Sequence, residues 1–308
     1  MAELTAAIRI GVAEPRRLSQ RSRLLRRALL LLAPSLVFLA LFTYWPVLQV
    51  AWQSLRVETF GGTAHWGLDN FRRLFADPHF AAATVNNLVY AVGTLVPSIA
   101  LALLFAIGLR DSTRLNSLLR TLFVMPMLIP LVAAAALFSF IFLPRYGLIG
   151  HQLGWLGLEA VNWLGNPDLA LAAIIVLTIW KNAGYYMLFF LAGLQGIPDD
   201  LYEAARIEKA SAWQRFRRIT LPLLMPTTTF VAVIALLQVL TNVDHIILLT
   251  QGGPSDSTNV ILHYIYQQAH ENYDAGLAAA ATVVSVAALL ALSVLSLRSL
   301  ERGIHYEG

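Results

Sequence analysis

Residues 28–52 read ALLLLAPSLVFLALFTYWPVLQVAW, 25 positions without one Asp, Glu, Lys, Arg or His. A helix rises about 1.5 Å per residue and the hydrocarbon core of a bilayer is about 30 Å thick, so about 20 apolar residues cross it. This stretch is long enough. Arg9, Arg16, Arg17, Arg21, Arg23, Arg26 and Arg27 precede it. A cleaved leader carries a short apolar region and then a small-residue cleavage site. Here the run continues through Leu39 and Phe42 to Trp52, which predicts a retained first membrane helix.

Five further spans follow, at 84–109, 119–143, 169–196, 222–249 and 276–297. Each should be helical, because lipid offers no partner to an open backbone group. Pro126 and Pro130 interrupt the third span and Pro144 closes it. Prolines are tolerated where neighbouring helices satisfy the freed carbonyls. Of the 308 residues, 57% are hydrophobic and 13% charged; a soluble domain carries roughly 25% charged residues. The expected fold class is therefore all-α, a polytopic membrane protein with six transmembrane helices. Its expected organisation is a basic tail at 1–27, a transmembrane domain at 28–297 with a long loop at 197–222, and a tail at 298–308. No internal repeat stands out. The segments at 53–83, 144–168 and 250–275 read as short ordered loops or surface helices. With no cysteine, disulfides and thiolate metal sites are excluded. His65, His79, His151, His263 and His270 are scattered, so no metal site is expected.

The basic residues test this layout. Six spans put both termini on one side, and that side holds seventeen of the 22 Lys and Arg residues. The opposite side holds Arg56, Arg72, Arg73 and Arg145, and Lys181 lies within a span. Loops rich in Lys and Arg stay in the cytoplasm, so both termini are predicted to be cytoplasmic. The net charge of +4 then belongs beside membrane lipid, and no nucleic-acid partner is expected.

The loop between spans four and five carries the most pattern. It runs Ile197-Pro198-Asp199-Asp200-Leu201-Tyr202-Glu203-Ala204-Ala205-Arg206-Ile207-Glu208-Lys209-Ala210 and ends Ile219-Thr220-Leu221-Pro222. Pro198 with Asp199 and Asp200 predicts a helix start, since carboxylates suit the positive N-terminal end. Ala204 and Ala205 let another surface approach closely. Trp213 and Phe216 mixed with Arg215, Arg217 and Arg218 predict an amphipathic segment along the membrane face. From the residues alone, this is either a solvated basic loop near headgroups or a docking segment.

The loop resembles the EAA motif of the membrane subunits of bacterial ABC importers. Glu203, Ala204 and Ala205 match its opening, and Ile219, Leu221 and Pro222 match its close. Lys209 stands where the motif has Gly. A lysine disfavours the positive-φ turn that Gly permits, so either the turn differs or another residue makes it. Gly67-Leu68-Asp69-Asn70-Phe71, Trp180-Lys181-Asn182-Ala183-Gly184-Tyr185-Tyr186, Leu191-Ala192-Gly193-Leu194-Gln195 and Thr250-Gln251-Gly252-Gly253-Pro254 extend the likeness along most of the chain. It is similar to type I permeases of the carbohydrate-uptake branch, and through the tail Glu301-Arg302-Gly303-Ile304-His305-Tyr306 to sn-glycerol-3-phosphate permeases. The resemblance implies a bacterial inner-membrane subunit that pairs with a second homologous permease. Two copies of a cytoplasmic ATPase and an extracytoplasmic solute-binding protein would complete the assembly. It implies that Glu203, Ala204, Ala205, Glu208, Lys209 and Ala210 contact the ATPase. The chain has no G-x-x-x-x-G-K-[S/T] phosphate loop. It is therefore expected to bind no cofactor and catalyse nothing alone, with ATP and Mg²⁺ held by the partner ATPase.

Polar residues inside spans mark packing contacts or a solute path. Gln238, Asn242 and His245 follow i, i+4, i+7 spacing, which predicts one helical face, and Asp244 is adjacent. Span four offers Lys181, Asn182, Tyr185 and Tyr186; span two offers Asn87. Amide and hydroxyl groups beside aromatic rings suit sugars or polyols. Interhelical hydrogen bonds, and snorkelling of Lys181 to the interface, are the alternatives. A secondary transporter or channel driven by an ion gradient would explain the spans and Asp244. It would not explain the Glu203 loop.

Overall fold

The computed structural model describes residues 16–58, 64–157 and 159–303. The outer parts of the expected tails, 1–15 and 304–308, including Arg9, Ile304, His305 and Tyr306, lie outside the described residues. The chain divides into two compact units, Met1–Trp52 and Gln53–Gly308.

The first unit is helical. α1 (Arg16–Leu39) passes through a π-helical turn (Ala40–Tyr44) into α2 (Trp45–Ser54). Within the π turn the Trp45 N–H reaches back to the Ala40 carbonyl. Pro46 follows directly; it supplies no N–H and its ring crowds the preceding turn, so the helix widens there.

The second unit opens with a hairpin that departs from the all-helical expectation. β1 (Arg56–Glu58) pairs antiparallel with β2 (Ala64–Trp66) in the register Val57 to His65. The buried Asn70 amide fixes it, donating to the carbonyls of Ser54 and Arg56 at 3.0 and 2.9 Å. Asn70 sits on α3 (Asp69–Ala76), which leads to the long α4 (Pro78–Gly108). Asp77 caps α4 by accepting from the His79 N–H, with Pro78 at the first helical position. Then come α5 (Arg114–Leu128), α6 (Leu131–Ile141) and α7 (Leu148–Trp155). The second long helix, α8 (Pro167–Gln195), starts in the same way, with the Asn166 side chain accepting from the Asp168 N–H. The loop forms α9 (Asp199–Ile207), α10 (Ala212–Arg215), a π turn (Phe216–Thr220) and α11 (Leu221–Leu223). This π turn also lies just ahead of a proline, Pro222. α12 (Met225–Thr241), α13 (Asp244–Leu249), α14 (Ile261–Tyr266) and α15 (Ala275–Gly303) complete the chain.

Among the described residues, four helices are each long and apolar enough to cross a membrane: Arg27–Ser54, Pro78–Gly108, Pro167–Gln195 and Ala275–Val294. Two bent helix pairs pass the same test together, which makes six if each pair is one span. α5 and α6 meet at 100°, and the Ala212–Leu223 segment meets α12 at 63°. The third and fifth predicted spans are therefore not single helices. At the first bend Ile129 is extended (ψ 129°), the conformation a following proline imposes, and Pro130 then opens α6.

α4 and α8 form the spine of this unit. Small residues on one face let the helices close in: Ala102 and Ala106 of α4 share a buried cluster with Tyr186, Met187, Phe190 and Leu194 of α8. α5 lies so close to α8 that a Cβ at Gly184 would sit 1.7 Å from the Phe123 carbonyl oxygen.

Candidate functional site

A polar cavity of about 230 Å³ lies among α4, the α5–α6 bend, α8, α12 and α13. Its polar walls are Tyr90, Thr178, Lys181, Asn182, Gln238, Asn242 and His245, with Met127 and Leu131 beside them. Of the predicted path residues, Lys181, Asn182, Gln238, Asn242 and His245 meet here. The reason differs from the one expected. α12 stops at Thr241, Asn242 is extended (φ −108°, ψ 118°), and α13 restarts at Asp244. Helical spacing does not hold across that break. The chain turn, rather than a shared helical face, brings Gln238, Asn242 and His245 to one cavity.

The remaining candidates go elsewhere. Asp244 is exposed at the start of α13 and does not line the cavity. Asn87 is buried beside a separate, mostly apolar cavity between α4, α12 and α15. Tyr185 packs its ring edge-on against Phe189, at 5.0 Å between centroids. Tyr186 is buried in the core cluster, and its hydroxyl donates to Gln238 Oε1 at 3.2 Å. Tyr186 thus orients a wall of the cavity without lining it.

Lys181 does not snorkel. Its ammonium is buried and donates to the carbonyls of Pro126 (3.3 Å), Met127 (3.4 Å) and Ile129. These are the carbonyls that the α5–α6 bend releases from helical pairing. The lysine therefore caps a broken membrane helix from its neighbour, and its charge lies at the negative end of α5. Gly184, one turn along α8, lets the α5 backbone approach.

Two cavity residues escaped the sequence reading. Tyr90 and Thr178 form a buried hydroxyl pair at 3.0 Å, and the Tyr90 hydroxyl lies 2.8 Å from His245 Nε2. Thr178 sits one turn before Lys181 and Asn182 on α8, a spacing that could have flagged it. Tyr90 likewise lies about one turn after the candidate Asn87 on α4.

At the loop end, α9 is anchored by Tyr202. Its ring is buried in the same cluster as Leu194 and Leu224, and its hydroxyl meets Thr220 Oγ1 at 3.0 Å. The Arg110 guanidinium lies 4.8 Å over the ring and donates to Asp199 at 3.0 Å. α9 is thereby tied to the end of α4 and to the start of the fifth crossing. Glu203 and Ala204 are exposed, as are Glu208 and Lys209, whereas Ala205 and Ala210 are half-buried. Ile207 is 83% exposed. Glu203 also lines a charged hollow of about 670 Å³ with Arg110, Arg206 and Arg215. Lys209 itself makes the turn after α9, at φ 58°. The Ala210 N–H reaches the Ala205 carbonyl and the Lys209 N–H reaches that of Arg206, both at 2.9 Å. This is the Schellman pattern that glycine usually closes.

Long apolar helices, two bent helix pairs beside a polar cavity and an anchored helix on the connecting loop fit a multi-pass membrane transport component. Residues 98–306 match the family described as binding-protein-dependent transport system inner membrane component. The chain is 33% identical over 280 residues to the probable ABC transporter permease protein YurN of Bacillus subtilis (strain 168), covering 89% of this chain and 96% of that protein. It is 32% identical to the sn-glycerol-3-phosphate transport system permease protein UgpA of Yersinia pestis bv. Antiqua (strain Antiqua), covering 90% and 95%. The crystal structure of a bacterial ABC transporter involved in the import of the acidic polysaccharide alginate superposes with a TM-score of 0.82 at 27% identity, covering 93% of this chain and 99% of that one. The chain belongs to the binding-protein-dependent inner-membrane transport family and is an ABC importer permease.

Proposed function

We propose that this permease forms half of the path for a carbohydrate or sn-glycerol-3-phosphate-like solute and takes its drive from a cytoplasmic ATPase through α9. The observation that carries this reading is the anchoring of α9. Its buried face holds Tyr202, bonded to Thr220 and covered by Arg110, while Glu203, Ala204 and Ile207 face outward. A force on the outer face would pass through Tyr202 to α4 and to the bent fifth crossing, whose next break lies at Asn242 in the polar cavity. The solute class follows from the relatives and from the amide and hydroxyl groups of that cavity. At about 230 Å³ it is smaller than the roughly 300–1,000 Å³ of complete ligand sites, which fits a path completed by a second homologous permease.

In this reading a solute-binding protein delivers solute on the side opposite α9, and both termini are cytoplasmic. Two ATPase copies bind ATP and Mg²⁺ and supply the energy. ATP closure of the ATPase pair and outward opening of the permease pair are two linked equilibria, each biasing the other.

Glu203→Lys tests the coupling. In vesicles holding the complete complex, the variant should insert normally and lose ATP-dependent solute uptake. Uptake at the unsubstituted rate would remove α9 as the coupling element.

A further inference from the structure

The short helix α7 carries an outer face that suits lipid headgroups better than open water. Leu148, His151, Gln152 and Trp155 follow i, i+3, i+4, i+7 spacing and all four are exposed. Ile149, Gly150 and Leu153 make the opposite, inward face. Tyr146 before the helix and Leu156 after it are exposed as well, and Tyr146 and Trp155 each reach 84%. Residues 146–157 contain no Asp, Glu, Lys or Arg. The outer face of a helix in water usually carries charged groups. Trp and Tyr concentrate instead at membrane surfaces, where one end of the ring meets hydrocarbon and the other meets water.

Packing sets the depth of this face. Gly150 lies against the chain that leaves α6, since a Cβ there would sit 2.0 Å from the Pro144 carbonyl oxygen. Ile149 packs with Phe142, Trp163 and Leu164, and with Ala173 of α8, in one cluster. α8 has 29 residues, which makes it about 43 Å long against about 30 Å of hydrocarbon. Centred in the bilayer, it projects about 6 Å beyond the hydrocarbon at each end. Ala173 lies about 9 Å along α8 from Pro167, just inside the boundary. The inward face of α7 therefore rests at the level where hydrocarbon gives way to headgroups. Leu137, Phe140 and Leu143, ahead of α7 in the chain, are exposed too, so the apolar outer surface of the third crossing runs on toward Tyr146 and Leu148. Arg145, exposed between them, supplies a cation at phosphate level.

We propose that α7 is an interfacial anchor, with Tyr146, Leu148, Trp155 and Leu156 set in the headgroup layer of the bilayer. His151 and Gln152, on the same face, hydrogen-bond to headgroups and interfacial water. Leu249, at the end of α13, packs into the cluster that holds Ile149. The anchor thus steadies the surface on which the segment after the Asn242 break rests. This inference needs membrane insertion alone and is independent of the solute and of the ATPase.

The chain has no cysteine, so Trp155→Cys and Gln152→Cys each accept a single nitroxide label. The complete complex, with cysteine-free partner subunits, would be reconstituted in vesicles of phosphatidylethanolamine and phosphatidylglycerol. Collision rates with oxygen, which partitions into the bilayer, and with a water-soluble nickel chelate report the depth of each label. Glu159→Cys, in the exposed stretch after α7, is the aqueous reference. The expected oxygen-to-nickel ratio at position 155 is severalfold above that at 159, and it stays so when the binding protein is added. A ratio raised at 152 alone also supports the anchor, because Gln152→Cys keeps the tryptophan whose loss would free the helix. Ratios at both positions equal to that at 159 put α7 in water and overturn the proposal. Low collision rates with both reagents put the face under protein and overturn it as well.

Discussion

Replacing Lys181 by Met tests the physical basis of the α5–α6 bend. The methionine keeps the length of the apolar stem and removes the ammonium. The Pro126 carbonyl retains a bond from the Ile129 N–H at 3.3 Å, so the loss falls chiefly on the carbonyls of Met127 and Ile129. A hydrogen bond to a charged group contributes about 1.5–3 kcal/mol, so two of them contribute about 3–6 kcal/mol. Removing a charge from mid-membrane returns about 2.5–3.5 kcal/mol. The net cost is then about 1.5 kcal/mol, within about −0.5 to 3.5 kcal/mol, and the bend loses the contact that fixes its angle. Thermal unfolding of the purified complex in lipid nanodiscs should fall by several degrees, at about 2–4 °C per kcal/mol for a domain near this size. Lys181→Gln keeps two N–H donors without the charge and should fall between Met and the parent. The chain contains no cysteine, so a single Leu131→Cys reports on the bend directly. Its reaction with a small soluble thiol reagent should quicken when Lys181 is Met. If the Met variant melts with the parent and Leu131→Cys reacts at an unchanged rate, the carbonyls have other partners and the reasoning fails.

Gly184→Ala should lower the yield of folded permease and cost at least about 1–3 kcal/mol, because its Cβ meets the Phe123 backbone oxygen at 1.7 Å. Gly193→Ala should be milder in the same folding assay, since its nearest obstacle is the rotatable Thr227 hydroxyl at 2.6 Å. Lys209→Gly should leave uptake and melting nearly unchanged, because relief of about 1 kcal/mol of left-handed strain offsets the greater freedom of an unfolded glycine. Lys209→Val puts a β-branched residue at φ 58° and should lose uptake. His263, in the loop before α15, is held below its ordinary 6.5 by burial, partly opposed by Glu271 and Asp256. The unfolded loop then takes up a proton before the folded one does. Stability should be constant above about pH 7, fall as pH drops through 6.5, and level off below the folded value. Limited proteolysis of that loop across pH 5–8 would show this; equal cleavage throughout counts against it.

The crossings were legible because long apolar runs have one stable conformation in lipid, and the helix starts because Asp77-Pro78 and Asn166-Pro167 carry their own caps. The broken crossings were half legible. Pro126 and Pro130 marked an interruption, but a proline alone does not set an angle. The 100° bend needs a partner for the released carbonyls, and that partner, Lys181, lies more than fifty residues away. Five of the polar span residues line one cavity, but the premise of a shared helical face failed at Asn242. A polar residue late in a span reads as one more position on a face, whereas Asn242 is where the face ends. Lys209 shows the opposite limit: φ preference argued against a left-handed lysine, and two backbone hydrogen bonds outweighed it. The β1–β2 hairpin had no local signal, and the contacts that join Tyr90, Thr178 and His245 link residues 67 to 155 positions apart, which no local pattern can report.

A membrane helix that breaks inside the bilayer exposes carbonyls and N–H groups that lipid cannot satisfy. Each break therefore recruits polar side chains from its neighbours, and those residues look like solute ligands in the sequence. The useful distinction is between polar atoms already engaged by backbone and polar atoms left over. Lys181 belongs wholly to the first group. Thr178 belongs to it as well, since its hydroxyl donates to the Ile174 carbonyl. In the proposed path, the amides around the break at Asn242 remain for solute. That break lies on the fifth crossing, which α9 grips through Tyr202 and Thr220 at its other end. In the proposed coupling, a displacement of α9 would act through the bent Ala212–Thr241 pair on the cavity at Asn242, while the α5–α6 bend stays fixed by Lys181.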